Sequence, residues 1–122
     1  MKTTETTAER TPSRLSDTDD DAVAELLALL GRAHTLSILY VFARHGGPWR
    51  FGELQKRLGV PPNTLTARLT ELVAAGLLER HSYDEIPPRV EYTGTESANA
   101  LKPAFAQLYT WTRTHALKGN ER

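Results

Sequence analysis

The stretch that most constrains the fold runs from Pro48 to Thr93, because its hydrophobic period changes repeatedly over a short distance. Trp49-Arg50-Phe51 is too short for more than one edge strand. It follows Gly46-Gly47-Pro48, through which no helix continues cheaply. Leu54 and Leu58 then stand four apart, the spacing of one helix face, which predicts a helix from about Gly52 to Leu58. Gly59-Val60-Pro61 reads as a turn, with Val60 packed between helices. From about Pro62 to Ala75, Leu65, Leu69, Leu72 and Val73 recur at i, i+4, i+7 and i+8. Pro62 suits the first helical position, where its missing N–H is not needed, and Gly76 closes the helix. Leu77 to Tyr83 and Arg89 to Thr93 are strand-like in composition. Between them Asp84-Glu85-Ile86-Pro87-Pro88 forms a loop that two prolines stiffen and keep from pairing. Strand, helix, turn, helix and hairpin, in that order, make a winged helix-turn-helix with its wing at about 78–93. The fold class is mainly α with a small β-hairpin.

The flanks supply further helices. Val23, Leu26, Leu27 and Leu30 predict one from about Ala22 to Leu30, ended by Gly31, with Asp19-Asp20-Asp21 at its positive end. A second runs from about Thr35, a candidate cap, to Arg44. After the hairpin, Leu101, Phe105, Leu108, Tyr109 and Trp111 line a helix from near Thr95 to about His115 or Lys118, which Pro103 interrupts early. Residues 1–18 are rich in Thr, Ser, Glu and Pro without a period and read as a disordered acidic tail. The winged domain is then 19–118, and 119–122 is a frayed end.

The 122 residues suit one domain with one modest core, and they contain no cysteine. Disulfides, thiolate zinc sites and cysteine redox sensing are therefore excluded. No apolar run approaches the roughly 18–20 residues of a membrane span. The polar start does not read as a secretory signal, so the expected location is the cytoplasm. Net charge is zero, but its distribution is uneven. Residues 1–21 hold three basic and six acidic side chains, net −3, whereas Arg32 to Arg89 holds eight basic and five acidic, net +3. That surplus falls in the segment that would face nucleic acid.

In a helix-turn-helix the second helix enters the major groove and its first turns approach base edges. With Leu65, Leu69 and Leu72 turned to the core, Asn63, Thr64, Thr66, Ala67 and Arg68 are assigned to the outer face. Arg can be bidentate to guanine and Asn to adenine. Thr can bond or touch a thymine methyl, and a small Ala permits close approach. A solvated polar surface would look the same on this helix alone; the turn, the preceding helix and the wing favour DNA. Arg89 at the wing fits either phosphate or minor-groove contact, or a structural pair with Asp84 or Glu85. Arg50, Lys56 and Arg57 are candidates for backbone phosphate or are simply solvated.

Five segments together carry a family resemblance: Gly31-Arg32-Ala33-His34-Thr35-Leu36-Ser37-Ile38-Leu39, Gly47-Pro48-Trp49-Arg50-Phe51-Gly52-Glu53-Leu54, Thr64-Leu65-Thr66-Ala67-Arg68-Leu69-Thr70-Glu71-Leu72, Gly76-Leu77-Leu78-Glu79-Arg80 and Pro87-Pro88-Arg89-Val90-Glu91-Tyr92. In that order and spacing, over about residues 22–117, the chain resembles the HxlR family of prokaryotic winged-helix regulators. The resemblance implies a homodimer joined through the N- and C-terminal helices, with Leu26, Leu29, Leu30, Phe105, Leu108 and Trp111 as candidate contacts. The aromatic stripe of the last helix is also explained by core packing within one chain. The sequence departs from the family pattern in four places. The neighbourhood where many members carry a cysteine is Asp19 to Ala22 here, which removes thiol sensing. His34 replaces a common tryptophan, Pro61 replaces a capping serine, and Thr95-Glu96-Ser97-Ala98 replaces a threonine-glutamate-leucine-glycine turn.

His34, His45, His81 and His115 are scattered without ligand spacing, and no phosphate-cradling or nucleophile motif appears. No enzyme activity, metal or cofactor is expected. The reading is a dimeric transcription regulator on double-stranded DNA, with helix 62–75 in the major groove and the wing at 84–89 on the flanking backbone. One alternative is a winged-helix protein–protein interaction module without specific DNA binding. A small-molecule effector between the dimer helices is compatible with the first reading, with His34, Tyr40, Trp49 and Trp111 as candidate lining.

Overall fold

A computed structural model describes residues 17–118, except the side chain of Thr18. They fall into two units that divide between Arg32 and Ala33. The first contains helix α1, Asp17–Leu30, with Asp17, Asp19 and Asp20 in its first turn. It starts more than a turn before Ala22, because the carboxylates that make a poor helix interior suit a helix start. The Gly31 N–H donates to the Leu27 carbonyl at 2.8 Å and ends it. The tail read at 1–18 lies outside the described residues up to position 16, as does the end at 119–122.

The second unit runs in the order α2 (Thr35–His45), β1 (Trp49–Arg50), α3 (Phe51–Leu58), α4 (Pro62–Ala74), β2 (Leu78–Tyr83), β3 (Arg89–Gly94), α5 (Glu96–Asn99) and α6 (Lys102–Thr114). The three strands form an antiparallel sheet in the order β1-β3-β2. Trp49 pairs with Tyr92, Arg50 with Glu91, and Tyr83 with Arg89 at the hairpin's far end. Ile38, Leu39, Val41 and Phe42 of α2, Leu54 of α3, Val60 of the turn, and Leu65, Leu69 and Leu72 of α4 build the core. Leu78, Tyr92 and Phe105 close it from the sheet and from α6.

The end of α4 fixes the hairpin's origin. Gly76 adopts φ +83, where a Cβ would be strained. Its N–H bonds the Val73 carbonyl at 3.0 Å, and the Leu77 N–H bonds the Leu72 carbonyl at 2.9 Å. This pair of bonds is a Schellman motif, with Leu77 buried beyond it. Thr95 returns to the same point. Its hydroxyl donates to the Gly76 carbonyl at 2.7 Å, and its N–H donates to the Leu77 carbonyl at 3.1 Å.

Two sequence expectations are corrected. The helix read from Thr95 to His115 is two helices, α5 and α6, separated at Ala100 and Leu101. Pro103, in the first turn of α6, has no N–H to continue the ladder, so it ends one helix and starts another instead of bending one. Nor does Thr35 cap α2. The cap position is His34, left-handed at φ 72, and it makes no side-chain cap bond. Thr35 is the first residue inside the helix and is fully buried, with no partner for its Oγ1 among the described residues. An unpartnered buried hydroxyl is destabilising, and valine has nearly its shape. Thr35→Val is therefore expected to stabilise the domain by about 1 kcal/mol in chemical denaturation; a loss of stability would show that the hydroxyl has a partner in solution.

Candidate nucleic-acid interface

Helix α4 turns three leucines inward, and its remaining residues are set by that rotation. Asn63 and Thr66 are exposed, and Thr64 and Ala67 are half-buried. At about 100° per residue, Ala67 lies about 160° round from Leu65 and Arg68 only about 60°. Arg68 therefore flanks the core instead of standing on the outer face. Its side chain is 17% exposed, its Nη1 donates to Glu71 Oε1 at 3.2 Å, and its Nε is buried without a hydrogen-bond partner. A free guanidinium reaching for guanine is not what this position presents. Thr70 was not among the candidates, yet it is exposed two helical turns beyond Asn63. The i, i+7 relation between Asn63 and Thr70 could have found it.

The wing concentrates charge at its tip. Arg89 donates from Nε and Nη2 to Glu85 Oε1 and Oε2 at 3.3 and 2.8 Å, and from Nη1 to Glu91 Oε2 at 2.9 Å. Its guanidinium carbon lies 3.8 Å from the centre of the Tyr83 ring, a cation–π stack. Of the two roles open to Arg89 in the sequence, the structural pair is the one formed here, with Glu85. The hydrogen bond from Arg89 lowers the pKa of the Glu85 carboxyl, and the bond to Glu85 raises that of Arg89. Arg50 Nε lies 3.9 Å from Glu91 Oε2. The tip thus sets Asp84, Glu85 and Glu91 against Arg50 and Arg89, one negative charge in excess.

At the start of α3 the Arg50 N–H donates to Glu53 Oε1 at 2.9 Å, which satisfies one of the helix's orphan donors. The Arg50 side chain remains 56% exposed, and Lys56 is exposed. Arg57 contacts His45 Nε2 at 2.8 Å. Among the described residues no group of three or more His, Cys, Asp or Glu is placed to hold a metal.

The candidate dimer residues differ among themselves. Leu26 of α1 is 36% exposed, and Leu29 and Leu30 are half-buried. On α6, Leu108 and Trp111 are 59% and 43% exposed. Phe105 is a core residue: it is buried and meets Tyr40 edge-on at 5.9 Å, because α6 turns this side toward α2. The structure does not gather His34, Tyr40, Trp49 and Trp111 into one cavity. Tyr40 lines a cleft of about 500 Å³ between α2 and α6, with Leu36, Leu58, Phe105, Leu108 and Tyr109, and the other three do not line it.

A family model described as HxlR-like helix-turn-helix matches residues 29–119. A helix-turn-helix-type transcriptional regulator of Halalkalibacterium halodurans is 34% identical over 99 residues, which are 80% of this chain and 87% of that one. Another, of Mycobacterium bovis, is 39% identical over 93 residues; the match spans 76% of this chain and 58% of that relative's length. Among solved structures, the reduced form of the transcriptional regulator YodB from B. subtilis superposes with a TM-score of 0.68 at 28% identity, covering 87% of this chain and 99% of that one. The order of strand, paired helices and hairpin, the polar outer face of α4, and the family match over 29–119 lead to one assignment: the chain belongs to the HxlR-like helix-turn-helix family of DNA-binding transcriptional regulators.

Proposed function

We propose that this regulator binds double-stranded DNA as a homodimer, each protomer laying α4 in a major groove with its wing against the flanking backbone. The observation that carries the reading is the outer face of α4. Asn63, Thr66 and Thr70 are exposed and Ala67 is small, which lets the helix come close to base edges. Asn63, Thr64, Thr66 and Ala67 are the residues we assign to base edges. Arg68 contributes by holding Glu71 beside that face. Arg50 and Lys56 are assigned to phosphate. Leu26, Leu29, Leu30, Leu108 and Trp111 are assigned to the dimer, where the exposed Leu26, Leu108 and Trp111 gain more from burial than the half-buried Leu29 and Leu30.

Selection of bound fragments from random duplex DNA, at two salt concentrations, tests this. The expected result is a two-fold symmetric motif with half-sites roughly 10 base pairs apart or a multiple of that. Recovery of unselected sequence, with binding lost at moderate salt, would sink site-specific recognition and favour a protein partner for the same surface.

The same reading places the protein in the cytoplasm and gives it no catalytic role. No single helix among the described residues is long and apolar enough to cross a membrane. The cleft between α2 and α6 is the place for a small-molecule effector, because its walls are mainly apolar, with Ser37, His45, Arg57 and Thr112 among the polar residues that line it. A compound bound there would raise the melting temperature of the wild type but not of a variant with Tyr40→Ala.

A further inference from the structure

Arg89 is the cation that the wing would offer to DNA, yet each of its three nitrogens already donates to a carboxylate. The fork formed by Nε and Nη2 holds both oxygens of Glu85, the same two-oxygen pattern that a phosphate presents to a guanidinium. We propose that Glu85 is a built-in competitor for DNA phosphate at Arg89, so that the wing grips the backbone only by exchanging an internal carboxylate for an external phosphate. The proposal rests on the DNA-binding reading above and names how the wing's contact is regulated.

Three features make Glu85 the group that leaves. Glu85 stands in the loop between the strands and is 49% exposed. Glu91, the other partner, is 13% exposed and sits in β3 between Arg50 of β1 and His81 of β2. The Tyr83 ring supports the face of the guanidinium, so departure of Glu85 opens an edge of Arg89 without releasing its plane. The charge balance points the same way. With Asp84, Glu85 and Glu91 against Arg50 and Arg89, the resting tip repels a polyanion, and displacement of Glu85 turns an inward pair into an outward cation.

The test compares full-length wild type, Glu85→Gln, Asp84→Asn and the double variant Glu85→Gln/Arg89→Ala on a mixed-sequence duplex of about 30 base pairs, across a salt series. Phosphate contacts are sequence-independent, so no operator is needed. Glu85→Gln is expected to bind roughly 5- to 10-fold tighter near 0.1 M salt, with a salt slope steeper by about 0.9, the signature of one added phosphate contact. The gain should disappear in the double variant and should exceed that of Asp84→Asn, which removes an adjacent charge outside the Arg89 fork. A gain that survives Arg89→Ala, or one that Asp84→Asn matches, would overturn the proposal in favour of a general field effect. A DNA-free measurement separates it from the reading it rests on. Inorganic phosphate should shift the Arg89 Nε–H resonance at lower concentration in Glu85→Gln than in wild type. If that shift appears while neither protein binds duplex, the competition stands and the DNA reading fails; if it does not appear, the competition fails whatever the DNA result.

Discussion

Thr66→Glu is expected to weaken binding to any selected duplex by at least about 100-fold while leaving the fold intact. Thr66 is exposed on the outer face of α4, one residue past the buried Leu65, so a longer side chain meets solvent and no core atom. Glutamate is a better helix former than threonine. Surface changes of this kind usually stay within about ±0.5 kcal/mol of wild-type stability. In a groove, however, the new carboxylate would stand between two phosphate backbones, and like charges juxtaposed across an interface cost several kcal/mol. Fluorescence anisotropy on the selected duplex, paired with a thermal melt, reads both quantities. Unchanged affinity with an unchanged melt would show that this face of α4 does not enter the groove.

Leu65→Ala has the opposite profile, with a large loss of stability and loss of DNA binding only as a consequence. Leu65 is fully buried in the core of the second unit. Truncation removes buried methyl groups and leaves a cavity whose walls relax only in part, a loss of about 2–5 kcal/mol. For a domain of this size that corresponds to a fall of roughly 10–30 °C in melting temperature. The variant should regain near wild-type affinity when cooled well below its midpoint, because no outer-face residue has changed. A fall of less than about 5 °C would remove Leu65 from the core.

The sequence made the architecture legible where periodicity and turn chemistry agree. Leu65, Leu69 and Leu72 mark α4, Gly76 marks its end, and Pro87-Pro88 marks the interval between the strands; each corresponds to an observed boundary within a residue or two. The rest was hidden for identifiable reasons. A leucine stripe says which side of a helix is buried but leaves its flanks undecided, and Arg68 is such a flank residue. Pro103 signals interruption in either of two forms, and the packing of Phe105 against Tyr40 goes with the form in which a new helix begins. The choice of Arg89 between Asp84 and Glu85 depends on the turn of the loop, in which the Glu85 N–H bonds the Tyr83 carbonyl, and no spacing rule reports it. Thr35 illustrates a third limit: its residue type suits a cap, but His34 takes the cap position and turns the hydroxyl inward.

The double tie at Gly76 and Leu77 has a consequence for how a binding site is measured out. The strand that leaves α4 and the strand that comes back are pinned to the same two carbonyls by Thr95. Helix α4 and the base of the hairpin are thus tied at one point, and in the proposed complex they would act as arms of one caliper. On DNA such a caliper has a fixed gape. The bases touched by α4 and the phosphates touched by the wing would keep one spacing in every footprint, and variation among operators would be confined to the distance between the two protomers.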